Sequence, residues 1–182
     1  MASKYLLLLI PCLLLTTKGL GQAPPAARPL AEFFSSLTGK QLRKLSDSRD
    51  SIEKAQTSKE LDAILNAKEA GKKATLKFTS SGKAMIVMNN QISLSGDPDR
   101  SVVRVNGETI RVCVVAEVPP TMEDKVKQCR EGRKVFVSGT VKSISISYSA
   151  ALMRTSDGRS VYGPNRFTAG ITVAADDFGL DK

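Results

Sequence analysis

The sequence predicts a mainly β protein (α+β), a five-stranded barrel preceded by a short helical N-terminal region. Three observations predict it. From Lys73 onward, apolar and polar residues alternate with a period of two through several runs. Between Glu108 and Tyr148 a strand pattern stops at Pro119-Pro120, a short amphipathic helix follows, and a long strand then starts at Gly132 and carries Gly139 inside it. That order of strand, connecting helix and long glycine-containing strand is how small five-stranded barrels are assembled. Before Lys73 the apolar spacing is instead near that of a helix.

The first residues read as a targeting segment. Lys4 supplies a positive start, Tyr5 to Leu15 is an apolar run, and Thr16 to Gln22 is a polar exit with small residues at Gly19 and Gly21. A run of roughly eleven apolar residues is short of the about 20 that a membrane-spanning helix needs. A signal peptide over residues 1–22 is expected, cleaved near Gly21 or Gln22, with export to the bacterial periplasm or the extracellular space. Pro11 precedes Cys12 where lipidation requires a small residue, so Cys12 is not read as a lipid anchor. The expected organisation is then a flexible lead-in and helical region over 23–71, a barrel domain over 72–176 and a tail over 177–182.

Gln22 to Pro29 is rich in Pro and Ala and reads as the flexible lead-in. Leu30, Phe33, Phe34, Leu37, Leu42 and Leu45 follow helical spacing, and Gly39 divides them into two short helices. Thr57 with Glu60 matches a capping box, opening a helix whose apolar face is Leu61, Ile64 and Leu65 and which ends near Ala70-Gly71. This region is expected to pack on the barrel, not to form a second functional domain.

In the first β run Ala74, Leu76 and Phe78 share one face; Ser80-Ser81-Gly82 reads as a turn, and the alternation continues from Ala84 through Asn89-Asn90 to Leu94. Gly96-Asp97-Pro98-Asp99 is a strong turn, Val102 to Val105 a short strand, and Asn106-Gly107 the best hairpin signal in the chain. Ile110, Val112, Val114 and Ala116 then face one side. Met122, Val126 and Cys129 place a helix over Glu123–Arg130, ended by Gly132. Val135, Val137 and Val141 share one face of the next strand, whereas Ile144, Ile146 and Tyr148 have the opposite parity, which predicts a bulge near Val141–Ile144. Asp157-Gly158 and Gly163-Pro164-Asn165 read as turns, and Ala169, Ile171 and Val173 as a last strand before an acidic tail at Asp176-Asp177.

Composition narrows function mainly by exclusion. The chain has no histidine and no tryptophan, which removes histidine-based nucleophile pairs and histidine metal ligands. No enzyme activity, cofactor or metal is expected. The serines from Ser138 to Ser149 have no base nearby in sequence to activate them, and Asp97, Asp99, Asp176 and Asp177 lack EF-hand spacing. Cys113 and Cys129 remain after processing; in an exported protein they read as a disulfide worth about 3 kcal/mol, or else as two separate, partly buried thiols. The bridge is the expectation. A formal charge of +9 suits a polyanion but is spread along the chain.

Ile110 to Val114, the helix through Lys125-Val126, and Gly132 to Val141 together resemble the OB-fold, and within it the secreted tRNA-anti-like group. The resemblance spans roughly 73–175, and residues 73–107 would form either the first barrel strands or a separate sheet. It implies binding of an oligonucleotide or oligosaccharide on the barrel face, with no catalytic residue to transfer. Outward cations Lys77, Arg104, Arg111, Lys134 and Lys142, with Phe136 as a stacking platform, are the candidate ligand-binding residues. The expected function is an exported non-enzymatic binding module for an extended anionic or polar oligomer. The alternative is a structural or protein-interaction module that meets an envelope protein.

Overall fold

The computed structural model describes residues 26–86, 91–154 and 159–181. The expected signal segment, Cys12, Asn89-Asn90 and Asp157-Gly158 lie outside the described residues. Among the described residues, six strands follow the helical region: β1 Lys73–Ile86, β2 Ile92–Gly96, β3 Val102–Val105, β4 Glu108–Val118, β5 Lys134–Arg154 and β6 Ser160–Leu180. The sheet order β2-β1-β5-β6-β4-β3 is closed by a further β2–β4 pairing. Four of the ring's pairings are antiparallel, and β4 with β6 is parallel. Residues 73–107 therefore supply the first barrel strands and no separate sheet. This is an OB-type barrel, with the short helix α3 (Glu123–Lys127) between β4 and β5.

β2 and β3 behave as one interrupted strand. Ile92–Ser95 face Val118–Val115, and Val102–Val105 face Arg111–Glu108 on the same partner. Asp97–Ser101 loops out between them, and Ser101 rejoins the ladder by accepting a 2.8 Å hydrogen bond from the Val112 amide. The predicted hairpin at Asn106-Gly107 is present; both residues have positive φ, 50° and 88°, as a two-residue turn with right-handed twist requires.

β5 carries the predicted slip. Val135, Val137 and Val141 are buried, then Ile144 and Ile146, and the register against β6 shifts between Val141 and Ser143. The shift lets one long strand turn its apolar side inward along both halves of the barrel. Other local readings needed correction. Ser80-Ser81-Gly82 is an irregularity within β1, and Gly163-Pro164-Asn165 lies inside β6, because pairing with neighbouring strands overrides local turn preference. The acidic pair Asp176-Asp177 does not begin a tail: Phe178 is fully buried, and β6 pairs with β5 as far as Leu180. The helix after Pro119-Pro120 stops at Lys127, short of the expected Arg130.

Among the described residues, two helices and a 3-10 turn precede the barrel. The turn covers Leu30–Phe34, α1 covers Gly39–Asp47 and α2 covers Ser51–Glu69. The capping box sits at Thr38 with Gln41, opening α1. α2 starts earlier than expected, with Asp50 accepting from the Ile52 amide at 2.8 Å, which leaves Thr57 buried in mid-helix. Phe33, Phe34, Leu37, Leu42, Leu45, Leu61 and Leu65 belong to the same buried cluster as the barrel interior. The described residues thus share one core, and the helical region is part of it. No described helix is long and apolar enough to cross a membrane.

A polar stripe on α2 ties the helix to the barrel. β1 pairs with β5 only along Lys134–Thr140, so the next stretch of β5 would present an open edge. Asn66 covers it by donating to the Ile144 carbonyl (2.8 Å) and accepting from the Ile144 amide (2.7 Å). One turn earlier, Asp62 accepts from the Ile146 amide (2.7 Å), and Ser58 donates to the Ile146 carbonyl. Residues four apart share a helix face, so this stripe imitates a neighbouring strand and blocks edge-to-edge pairing. Burial pushes the Asp62 carboxyl above its usual range, against the opposing effect of the Ile146 amide. Asn66→Ala is expected to cost about 2 kcal/mol, because it leaves an amide and a carbonyl of a half-buried edge unpaired. Urea unfolding measures this; a loss near zero would mean that water replaces the asparagine.

The Pro/Ala-rich lead-in is anchored at its end. The Arg28 amide donates to the Thr75 carbonyl of β1 at 2.8 Å, and its guanidinium grips the buried Glu69 carboxylate through two bonds of 2.6 and 3.0 Å. The same guanidinium lies 4.2 Å from the centre of the Phe33 ring. Residues 26–29 are thereby held against the barrel by β1, α2 and the first turn together.

Candidate ligand-binding face

Alternation along β4 sends Ile110, Val112, Val114 and Ala116 into the core and Thr109, Arg111, Cys113, Val115 and Glu117 to the outside. Pairing extends this outer face on both sides. Arg104 and Val102 join it from β3, and Arg166, Thr168, Gly170 and Thr172 from β6. Beyond β6, Ser143, Ser145 and Ser147 of β5 continue it with hydroxyls. The middle of the face is small and polar, and one end is cationic.

The cationic end is built around the β2–β3 excursion. Asp99 reaches from that loop to Arg111, and Arg166 Nη1 lies 3.4 Å from the same carboxylate oxygen. Two guanidiniums therefore share one carboxylate, leaving an excess positive charge. Arg104 stands on the adjoining strand with no ion-pair partner among the described residues. Beside this group, where β4 and β6 part, opens a cleft of about 480 Å³ lined by Thr109, Arg111, Tyr148, Asn165, Arg166 and Phe167 among others. The Tyr148 and Phe167 rings meet at 4.7 Å, and the Lys54 ammonium lies 5.6 Å from the Tyr148 ring. Tyr162, earlier on β6, is 80% exposed.

The predicted site residues thus divide among three places. Arg104 and Arg111 share the cationic end just described. Lys77, Lys134 and Phe136 lie together elsewhere, on the outer side of β1 and β5, where Lys77 is cross-strand from Phe136 and is bound by Asp181 at 2.7 Å. The Phe136 ring lies over Gly179 of β6. Lys142 sits at the β5 register shift and is held at 2.7 Å by Glu117, far along β4 from Arg111. The turn residues Gly163-Pro164-Asn165 hide Arg166 from the sequence, and nothing local places the Asp99 loop over β4.

The expected Cys113–Cys129 disulfide is absent, and both thiols are free. The barrel wall separates them. Cys113 is on the outward parity of β4 and donates to the Gly96 carbonyl at 3.4 Å, whereas Cys129 is inside the core cluster and donates to the Lys125 carbonyl at 3.2 Å. Burial raises both thiols above the usual cysteine range, which favours the protonated form of each.

Comparison with known proteins adds loose structural likenesses. No protein-family model matches the chain, and no curated protein matches it. The mitochondrial single-stranded DNA binding protein from S. cerevisiae is 13% identical, with 62% of this chain and 96% of that chain covered and a TM-score of 0.32. The small single-stranded DNA-binding protein from Streptomyces coelicolor is 14% identical, covering 61% of this chain and 94% of that one, also at 0.32. A Plasmodium falciparum protein solved in complex with single-stranded DNA is 14% identical, with 63% and 98% covered and a TM-score of 0.32. No residue role is transferred from them, and the fold assignment rests on strand order and pairing.

Proposed function

We propose that this protein is an exported, non-enzymatic binding module that holds a single-stranded oligonucleotide, or another extended polyanion, across the β3–β4–β6 face. The observation that carries the reading is the convergence of Arg111 and Arg166 on one carboxylate, with Arg104 beside them. Such a cluster would hold backbone phosphates, and the Tyr148 ring, in the cleft beside Arg111 and Arg166, would offer a stacking platform worth about 1–3 kcal/mol per base. The support for export is the Lys4-started apolar run Tyr5–Leu15. An oligosaccharide would use the hydroxyl-rich middle of the face and leave the arginines idle. The alternative, an interaction module for an envelope protein, draws on that same flat, small-residue surface, Ser143 to Ser147 with Thr168 to Thr172.

Fluorescence anisotropy with a labelled deoxythymidine oligomer, titrated at several salt concentrations, tests the reading. Three phosphate contacts predict that log Kobs falls with log salt at a slope of roughly −2. Arg111→Ala and Arg166→Ala should each weaken binding about five- to tenfold and flatten that slope by about 0.7. Lys142→Ala should change neither, since Lys142 is neutralised by Glu117. Absence of binding at low salt, or an equal loss from Lys142→Ala, would remove the proposal.

A further inference from the structure

The β2–β3 excursion has no counterpart in the pairing of β4, which runs unbroken opposite it. Its conformation is organised by its own polar groups: Asp97 accepts from the Asp99 amide at 2.9 Å, and the Arg100 amide donates to the Asp97 carbonyl at 3.2 Å. The outcome is to suspend the Asp99 carboxylate above Arg111 and Arg166. The three partners are unequally held. The side chain of Asp99 is 60% exposed, while those of Arg111 and Arg166 are only 33% and 29% exposed. Arg166 also keeps a buried Nε with no hydrogen-bond partner among the described residues, so Asp99 does not use all that the guanidinium offers.

We infer that Arg111 and Arg166 form an anion-binding fork for a phosphate group, and that Asp99 is a built-in competitor that occupies it until a ligand phosphate displaces the carboxylate. This deepens the proposed function and rests on it for the identity of the natural ligand. A solvated carboxylate holds a surface cation weakly and is screened by salt. A phosphate brings more acceptor oxygens and more charge, and planar guanidiniums match it bidentately. The cations stay in place because packing holds them; the anion leaves because water already reaches it. Binding is thereby restricted to ligands whose phosphate outcompetes one aspartate, and weaker anions are turned away.

Two probes test this on the full chain, with Asp99→Asn as the variant and Asp124→Asn as a charge-matched control. Asp124 is 94% exposed and lies on α3, away from the fork. Inorganic phosphate is titrated while the side-chain Nε–H resonances of Arg111 and Arg166 are followed by NMR. Asp99→Asn is expected to bind phosphate at these two resonances roughly three- to tenfold more tightly than the wild type, the range that loss of a partly exposed ion pair would produce. Asp124→Asn should match the wild type. Equal affinity in Asp99→Asn and wild type, an equal gain in the control, or resonances that do not respond would each overturn the inference. The labelled oligomer then separates the two proposals. If phosphate behaves as expected and the oligomer binds neither protein, the fork stands and the nucleic-acid reading fails. If the oligomer binds wild type and Asp99→Asn alike and phosphate discriminates no better, the binding reading stands and Asp99 is no competitor.

Discussion

Gly139→Ala is expected to destabilise the barrel by about 3 kcal/mol or more. A Cβ at this position would collide with the Ala174 carbonyl oxygen and lie 2.8 Å from the Ala174 carbonyl carbon and 3.0 Å from the Ala175 Cα. All three obstacles are backbone atoms of the neighbouring strand, so no side-chain rotation relieves the contact. The site is also where the β5–β6 register shifts, between Ser138 and Gly139. Relief would require β5 and β6 to separate at the bend that carries β5 around the barrel, with loss of the flanking ladder bonds. Overpacking of a confined site costs about 1–3 kcal/mol, and a backbone collision belongs at or above the upper end. Against a total stability of roughly 5–15 kcal/mol, that is a large share of what keeps a domain folded. Circular dichroism and thermal unfolding measure it; a variant that melts within a degree or two of the wild type would show that the strands can move apart at little cost.

Removing Arg28 should have the second-largest effect, with a pH signature that identifies its cause. The Glu69 side chain is 1% exposed, and its carboxylate is held by the Arg28 guanidinium at 2.6 and 3.0 Å. Arg28→Ala leaves that carboxylate buried without its partner, which in comparable buried pairs costs about 3–5 kcal/mol. Arg28 itself is 28% exposed, and water entering its place should bring the loss to about 2–3 kcal/mol at neutral pH. The hydrogen bond from Arg28 holds the Glu69 carboxyl below its ordinary 4.5, outweighing the effect of burial. A depressed folded-state pKa stabilises fully above the unfolded value, and that contribution is lost as pH falls through the folded value. The gap between wild type and Arg28→Ala should therefore be widest near neutrality and narrow as the pH drops below about 4.5. Denaturant unfolding across that range provides the measurement. A gap that does not change with pH would point to lost packing on Phe33 as the cause, not the ion pair.

Most of the barrel's strands could be read locally because a strand half-buried on one side writes its environment into alternate residues. Ile110 to Ala116, Val135 to Val141 and the parity change before Ile144 all follow that rule, and the bulge falls where the phase slips. Asn106-Gly107 was legible for a related reason, since positive φ at both turn residues is a local demand. Reading failed where a distant partner decided the outcome. Gly163-Pro164-Asn165 has turn residues but is drawn into β6 by β5. Asp176-Asp177 looks like a tail, yet burial of Phe178 keeps the strand going. Thr57 and Glu60 match a capping box by spacing, but Asp50 starts the helix a turn or more earlier.

The cysteines and the candidate site mark the same boundary. Their closeness in sequence suggested a bridge between Cys113 and Cys129, whereas their faces in the barrel forbid one. Lys77, Arg104, Arg111, Lys134 and Lys142 were all found as outward cations, because outwardness is a matter of parity. Which of them stand together, and which already have an acid, depends on strand order and on where loops return. Lys142 meets Glu117, Lys77 meets Asp181, and only Arg111 is joined by Arg166 around a shared Asp99.

By itself the sequence determined the period of most strands, the interrupted helical lead, the hairpin and the slip in β5, since each is set by neighbours along the chain. Tertiary structure decided the parallel β4–β6 pairing, the polar stripe on α2 that closes the β5 edge, and the fork of Arg111 and Arg166 beneath Asp99. Those features join residues far apart in sequence, and their energies exist only once the chain has closed on itself.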